Sequence, residues 1–234
     1  MGVKYTNPRI SYDNKYWYLS VGIEVEMPIV ELTGESLGID VGIKDLDVCS
    51  NGMAFKNINK SKEVRKLKKS LKRKQRQCSR KYEKNKIGKE YVKTKNIAKL
   101  EKQIKLIHCR LSNIRLNYVH QVTTMIVKTK PSRVVMEDLN IKGMMKNKHL
   151  SKAIAEQCFY EFYRQIEYKS SWNNIKFIIA DRFHASSKIC SCCGAVNKDL
   201  KLSDRIYKCD NCNAVIDIDK NASINLYNYG KSIA

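Results

Sequence analysis

The sequence predicts a mixed α/β fold: one sheet of antiparallel and parallel strands, interrupted by a basic helical hairpin and, near the C-terminal end, by a four-cysteine metal module. Three observations carry this. Short apolar strands recur at both ends of the chain. Between them lies a long stretch of helical periodicity dense in lysine and arginine. Two C-x2-C pairs then precede a final amphipathic segment.

Residues 15–26 alternate, with Trp17, Leu19, Val21, Ile23 and Val25 on one side, and are expected to form a half-buried strand. No partner strand is expected among the fourteen residues before it. Residues 36–43 form a short apolar strand with Asp40 in its middle. A hairpin signal at Asn51-Gly52 then completes three antiparallel strands over roughly 36–56. Residues 60–105 hold 20 Lys or Arg against 4 acidic residues. Val64, Leu67 and Leu71 repeat at helical spacing. After a break near 86–88, a second register runs through Ile97, Leu100, Ile104, Ile107, Leu111, Ile114, Tyr118, Val122 and Met125, and Pro131 closes it. This is the pattern of an antiparallel helical hairpin, apolar inside and basic outside. Residues 133–138 are a buried strand. Residues 151–169 are a helix with Ser151 as N-cap, and residues 175–181 are another buried strand. A short helix near 219–228 ends the chain. That element order is the order of an RNase H-like fold.

Composition narrows the function classes. The chain has 234 residues and a formal net charge of +22. An excess on that scale suits a polyanionic partner, because each cation near a phosphate releases condensed counterions. Lys66, Lys69, Arg73 and Arg76 are the candidate phosphate contacts in the basic segment. The bland alternative is a solvated helix pair with no partner. No apolar run is long enough to span a bilayer, and no leader-like segment opens the sequence, so the expectation is a cytoplasmic protein with no membrane role. Of nine cysteines, five crowd into residues 190–212. An odd total with one dense cluster points to metal binding rather than a disulfide framework.

Cys190/Cys193 and Cys209/Cys212 have the spacing of two zinc knuckles that together offer four thiolates to one Zn2+. Four protein ligands leave no open position, so that ion is expected to be structural. Cys192 sits inside the first knuckle, and a register with Cys192 as ligand stays open. The candidate reactive groups are carboxylates: Asp40 in mid-strand, Glu137 at a strand end, and Asp217 and Asp219 at the start of the last helix. Carboxylates from separate elements can converge on Mg2+, and two such ions support phosphodiester hydrolysis. Taken singly each acid is weak: Asp45, Asp47 and Asp138 read equally as surface residues, and Asp219 reads equally as an N-cap.

The blocks GIDVGIKDLDVCSNG, VVMEDLNIKGM and RFHASSKICSCCG…LSDRIYKCDNCNAVIDIDKNASINL resemble the TnpB (OrfB-type) family of transposon-encoded proteins, relatives of type V CRISPR effectors. The resemblance covers about residues 34–228. It implies a RuvC-type core over 34–183 with its helical insertion at about 60–130, a zinc ribbon over 184–216 and the rest of the core over 217–234. Residues 1–33 resemble the end of the oligonucleotide-binding wedge domain. It implies that Asp40, Glu137 and Asp219 carry the three RuvC motifs, with Asp217 a secondary acid. It further implies RNA-guided cleavage of DNA with two catalytic Mg2+ ions, DNA and guide RNA as partners, and a location with the prokaryotic nucleoid. Arg205 and the run Ser186-Ser187-Lys188 are candidate phosphate contacts. Ile218 replaces the arginine usual in the last motif, and Ala185 stands where proline is common. The long N-terminal recognition part usual in the family is nearly absent, which makes a second protein chain a candidate partner. A non-cleaving guide-RNA or DNA-binding protein and a strand-transfer transposase are the alternatives.

Overall fold

The computed structural model describes residues 4–27, 29–182, 184–201 and 204–233, which fall into two compact units. The first holds residues up to 26 and 59–117; the second holds 27–58 and 118 onward.

The first unit opens with strands β1 (Tyr5–Tyr12) and β2 (Trp17–Ile23), paired antiparallel. Asp13 and Asn14 turn the chain, Asn14 at φ 73° and Asp13 accepting from the backbone N–H of Lys15 and Tyr16. The partner strand that the sequence did not lead one to expect is therefore β1. Its Asn7-Pro8 reads as a breaker, but the strand absorbs it as an irregularity between Thr6 and Arg9, with Asn7 at φ 46°. The expected half-burial of β2 is also corrected. Trp17, Leu19 and Ile23 stay exposed, as do most residues of both strands.

Helix α1 (Lys62–Lys84) is capped by Ser61, whose hydroxyl accepts from Val64 N. A two-residue hairpin, β6 (Lys86–Ile87) and β7 (Glu90–Tyr91), with Gly88 at φ 61°, turns the chain into α2 (Lys95–Lys128). Polar ties cross between the helices: Arg110 to Glu63 at 2.8 Å, Lys74 to Gln103 at 2.6 Å and Tyr82 to Glu101 at 2.7 Å. Their order is that of antiparallel helices, as the periodicity predicts. Val64, Cys78, Ile97 and Leu111 are buried, while Lys66, Lys69, Arg73 and Arg76 form an exposed stripe at spacings of three and four on α1.

The second unit is built on a five-stranded sheet of β3 (Ser36–Val41), β4 (Asp45–Cys49), β5 (Ala54–Lys56), β8 (Arg133–Glu137) and β9 (Lys176–Ala180). The order is β5-β4-β3-β8-β9, antiparallel through β5, β4 and β3 and parallel through β3, β8 and β9. Between β8 and β9 lie α3 (Ile141–Met145), α4 (Ser151–Gln157) and α5 (Phe159–Trp172). The single helix expected over 151–169 is thus two. Cys158 takes a left-handed conformation at φ 57° and divides them, and Ser151 is the first helical residue, preceded by Leu150 without a side-chain cap. Gln157, buried beside the break, donates from Nε2 to the carbonyl of Gly42 at 2.7 Å, so the interruption is tied to the end of β3. Two short strands, β10 (Ile206–Lys208) and β11 (Val215–Asp217), precede the last helix, α6 (Ile218–Ser232).

Side chains alternate across the sheet. Leu37, Ile39, Val134 and Met136 face one core, where the end of α2 (Val119, Val122, Ile126) and α5 (Phe162, Ile166) cover them. The stripe predicted on α2 drifts by its end: Met125 is exposed and Ile126 is buried. The opposite face packs α6, with Leu226 against Val135 and Ala180. There the helix backbone comes so close that a Cβ at Gly38 would collide with the Ser223 carbonyl and the Tyr227 N–H. The glycine before Ile39-Asp40 is a packing requirement.

Candidate active site

The last β3–β8 pair is Ile39 with Met136, so the same register sets Asp40 beside Glu137, on the face packed by α6. Glu137 in turn pairs with Ala180 in β9. Helix α6 brings its first turn to this end of the sheet. Lys220 fixes that turn by donating from Nζ to the carbonyls of Ser50 at 2.7 Å and Cys49 at 3.3 Å. Asp219 lies in that turn. Asp217, not Asp219, is the N-cap, its Oδ1 accepting from Asp219 N at 3.0 Å and Lys220 N at 3.3 Å, while Oδ2 stands 3.7 Å from Lys44.

The four acids therefore come from four elements, β3, β8, β11 and α6. Burial holds the Asp40 carboxyl well above the usual carboxylate range, and the carboxylates of Glu137, Asp219, Asp217 and Asp47 push it further. Asp219 is raised by burial and by Asp217, and drawn back by Lys44 and Arg205. Such crowding of acids is costly without a cation to share. Glu137 is held on two sides: Ser186 donates its hydroxyl to Oε1, and Tyr163 donates to the main-chain oxygen at 2.5 Å. The expectation that Ser186 meets phosphate is thereby corrected, since it is buried and turned onto Glu137. Asp138 turns away to pair with Arg182 at 2.6 Å. Asp47, which reads equally as a surface residue, is 1% exposed.

In the cysteine module the sulfurs of Cys190, Cys193, Cys209 and Cys212 all lie within 4.8 Å of one another. Cys190 and Cys212 are 3.7 Å apart, Cys193 and Cys209 3.5 Å. Tetrahedral zinc with bonds of ~2.3 Å sets sulfurs about 3.8 Å apart, so the four thiols fit that ion. Cys192 is exposed and outside the cluster. The two knuckles repeat one another: Gly194 N donates to Cys190 O and Asn213 N to Cys209 O, both at 2.9 Å, with Gly194 at φ 77° and Asn213 at φ 58°. Helix α6 clasps the module. Asn221, fully buried, donates to Ile189 O at 2.7 Å and accepts from Ser191 N at 2.9 Å, and Asn225 donates to Ser186 O and Ile189 O. Sequence reasoning missed both asparagines; their four-residue spacing inside an otherwise apolar helix face was the available signal. Arg205, exposed, joins the start of α6 through its carbonyl, which accepts from Ile218 N at 3.1 Å. Lys66, Lys69, Arg73 and Arg76 belong to the other unit.

A mixed α/β core with clustered carboxylates stands here beside a four-thiol module that could hold a metal ion such as zinc. The comparisons narrow it. The family model OrfB_IS605, described as "Probable transposase", matches residues 18–148, and the model "Cas12f1-like, TNB domain" matches residues 159–226. The chain belongs to the OrfB-type, or TnpB, family. A "Putative RNA-guided DNA endonuclease" of Streptomyces pristinaespiralis is 31% identical over 96% of this chain and 53% of its own length. The "Putative RNA-guided DNA endonuclease InsQ" of Escherichia coli is 28% identical over 97% of this chain and 57% of its own. The chain thus spans about half the length of these relatives. Two solved structures share the fold. "Cryo-EM structure of CRISPR-Cas12f Ternary Complex" has a TM-score of 0.61 at 21% identity, over 90% of this chain and 42% of that one. "Cryo-EM structure of the Cas12f1-sgRNA-target DNA complex" has a TM-score of 0.55 at 19% identity, over 94% and 55%. Among the described residues no helix is long and apolar enough to cross a membrane.

Proposed function

We propose that this chain is the nuclease portion of a transposon-encoded, RNA-guided DNA endonuclease that hydrolyses phosphodiesters at Asp40, Glu137 and Asp219. The reading is supported by the register that sets Asp40 on β3 beside Glu137 on β8 and by the pull of Glu137 and of Asp219, on α6, on the Asp40 carboxyl. The strand order β5-β4-β3-β8-β9 supports an RNase H-like core of the RuvC type. The donor set is all carboxylate oxygen, which suits hard divalent cations, and the two ions proposed there are Mg2+. Bound there, Mg2+ would activate water and stabilise the leaving oxygen of the phosphodiester. The chain's own residues then have separate tasks. Asp40, Glu137 and Asp219 present oxygens, and Ser186 fixes one Glu137 oxygen. Asp217 holds the start of α6, and Arg205 beside Asp219 is available to a phosphate.

The four thiols are proposed to hold one structural zinc. Purified protein is expected to contain one zinc per chain, retained in Cys192→Ser and lost in Cys193→Ser, as read by metal analysis. Zinc-free protein that folds normally would count against the assignment.

The wedge remnant over 1–33, the ribbon over 184–216 and a location with the nucleoid belong to the same proposal. So do guide RNA and a second chain supplying further recognition surface. A non-cleaving nucleic-acid binder is the alternative reading, which the net charge of +22 serves equally. The decisive experiment incubates the chain, loaded with RNA from its transposon end, with single-stranded and guide-matched duplex DNA in Mg2+. It is run with and without the N-terminal half of a relative. Hydrolysis in any arm supports the nuclease; none in every arm, with nucleic acid bound, leaves the binder.

Binding itself is expected to run through phosphates on α1. Reversing Lys66, Lys69, Arg73 and Arg76 to Glu should lower the slope of log affinity against log salt by about 3–4, the scale for four lost contacts. An unchanged slope in a filter-binding titration would exclude this surface.

A further inference from the structure

The last turns of α2, helix α5 and the segment at residues 29–30 border a cleft of about 480 Å³. Lys169 in its wall is 7% exposed. Among the described residues its ammonium meets no carboxylate; its partners are Thr123 Oγ1 at 2.6 Å, Thr124 Oγ1 and the His120 carbonyl at 2.9 Å, His120 Nδ1 at 3.0 Å and Gln165 Oε1 at 3.3 Å. A buried lysine is ordinarily paired with a carboxylate. Here burial without one pulls its pKa down to about 8. Lys128 and Lys130 add exposed cations to the lining, and none of the described lining residues is acidic. The Lys130 carbonyl, at a left-handed turn, accepts from the N–H and hydroxyl of Thr33, so this rim is fixed. A flat aromatic platform completes the cleft. Trp172 is 53% exposed and stands edge-on to Tyr168, ring centroids 4.7 Å apart.

A concave wall with uncompensated positive charge beside an open indole matches one chemistry, an anion joined to a flat ring. We propose that this cleft binds one unpaired nucleotide of a single-stranded nucleic acid, its phosphate facing Lys128, Lys130 and Lys169 and its base stacked on Trp172. The site lies on the sheet face opposite α6 and does not depend on the carboxylate cluster. Stacking on exposed aromatics is tolerant of base identity, so the strand is RNA or DNA by the same chemistry.

The chain has two tryptophans, so Trp17→Phe leaves Trp172 as the sole indole reporter. The full-length Trp17→Phe protein is titrated without Mg2+ with tetrauridylate and, separately, with tetrathymidylate. Each carries a remote dye whose anisotropy reports binding. Saturable quenching of Trp172 in step with the anisotropy is expected. Quenching by one oligonucleotide alone assigns the strand as RNA or DNA, and quenching by both leaves the site tolerant of either. The exposed-rim variant Lys128→Glu/Lys130→Glu should weaken the quenching transition about tenfold. Lys169→Met tests the buried charge if it folds, and the rim variant decides the matter if it does not. Bound oligonucleotide with unquenched Trp172, or quenching that the rim variant does not weaken, overturns the proposal. The readout is fluorescence without cleavage, so its failure is distinct from failure of the nuclease reading.

Discussion

Asp40→Ala, Glu137→Ala and Asp219→Ala are each expected to reduce Mg2+-dependent DNA cleavage by at least about a hundredfold, the scale of losing one electrostatic partner of a transition state. Nucleic-acid affinity and the folded state should survive in all three. The division of labour explains this: carboxylates would hold the cations, while lysines and arginines hold phosphates. Removing Asp40 or Asp219 also relieves acid crowding, so these two proteins should melt no lower than the parent. Asp217→Ala should behave differently. Its carboxylate caps α6, so the loss should appear as about 1 kcal/mol of stability, with a smaller effect on cleavage. Parallel cleavage assays and thermal melts separate the two patterns. Cleavage persisting in Asp40→Ala would move the active site elsewhere.

The second large effect concerns Asp47, on the other face of β4. It pairs across from Val41, is 1% exposed, and its Oδ1 has no hydrogen-bond partner among the described residues; Cys49 Sγ reaches the other oxygen at 3.5 Å. Burial raises its pKa from 3.8 to about 7, outweighing the thiol contact. The folded state thus favours the protonated acid more strongly than the unfolded chain does. Its contribution is fully present below about pH 4 and is lost as pH rises through about 7. The rise from 3.8 to about 7 corresponds to about 4 kcal/mol. Asp47→Asn cannot ionise, so its urea midpoint should change far less between pH 5 and pH 8 than that of the parent. Equal slopes in the two proteins would mean that Asp47 is solvated or paired.

Much of this was legible in the sequence, and the exceptions have local causes. Apolar runs located β3, β8 and β9, because a strand buried on both faces is apolar throughout, and the Asn51-Gly52 hairpin signal located β4 and β5. The steps of three and four located α1 and most of α2 for the same kind of reason. Strand β1 was hidden because Asn7-Pro8 obeys turn rules that the strand accommodates with one irregular position. The division at Cys158 was hidden because a left-handed cysteine carries no sequence mark of the kind glycine gives, and the bond that accompanies it, from Gln157 to Gly42, is tertiary. For the site, the cysteine spacing pointed to the four sulfurs that meet but left Cys192 open, and the structure sets Cys192 outside the cluster. The acids were individually ambiguous, and only the sheet register and the seat of α6 separate Asp40 and Glu137 from Asp47 and Asp138. What spacing could not encode was the hydrogen-bonding support, Ser186 under Glu137 and Asn221 and Asn225 under the cysteine module.

That asparagine clasp bears on any attempt to exchange the cysteine module between related proteins. A graft cut after the last cysteine would leave Asn221 and Asn225 facing foreign backbone at positions 186, 189 and 191, with buried amides unanswered. The transferable cassette is instead the stretch from Ser186 through Asn225. It carries Asp217 and Asp219 with it, so a graft of the module is also a graft of half the acid cluster.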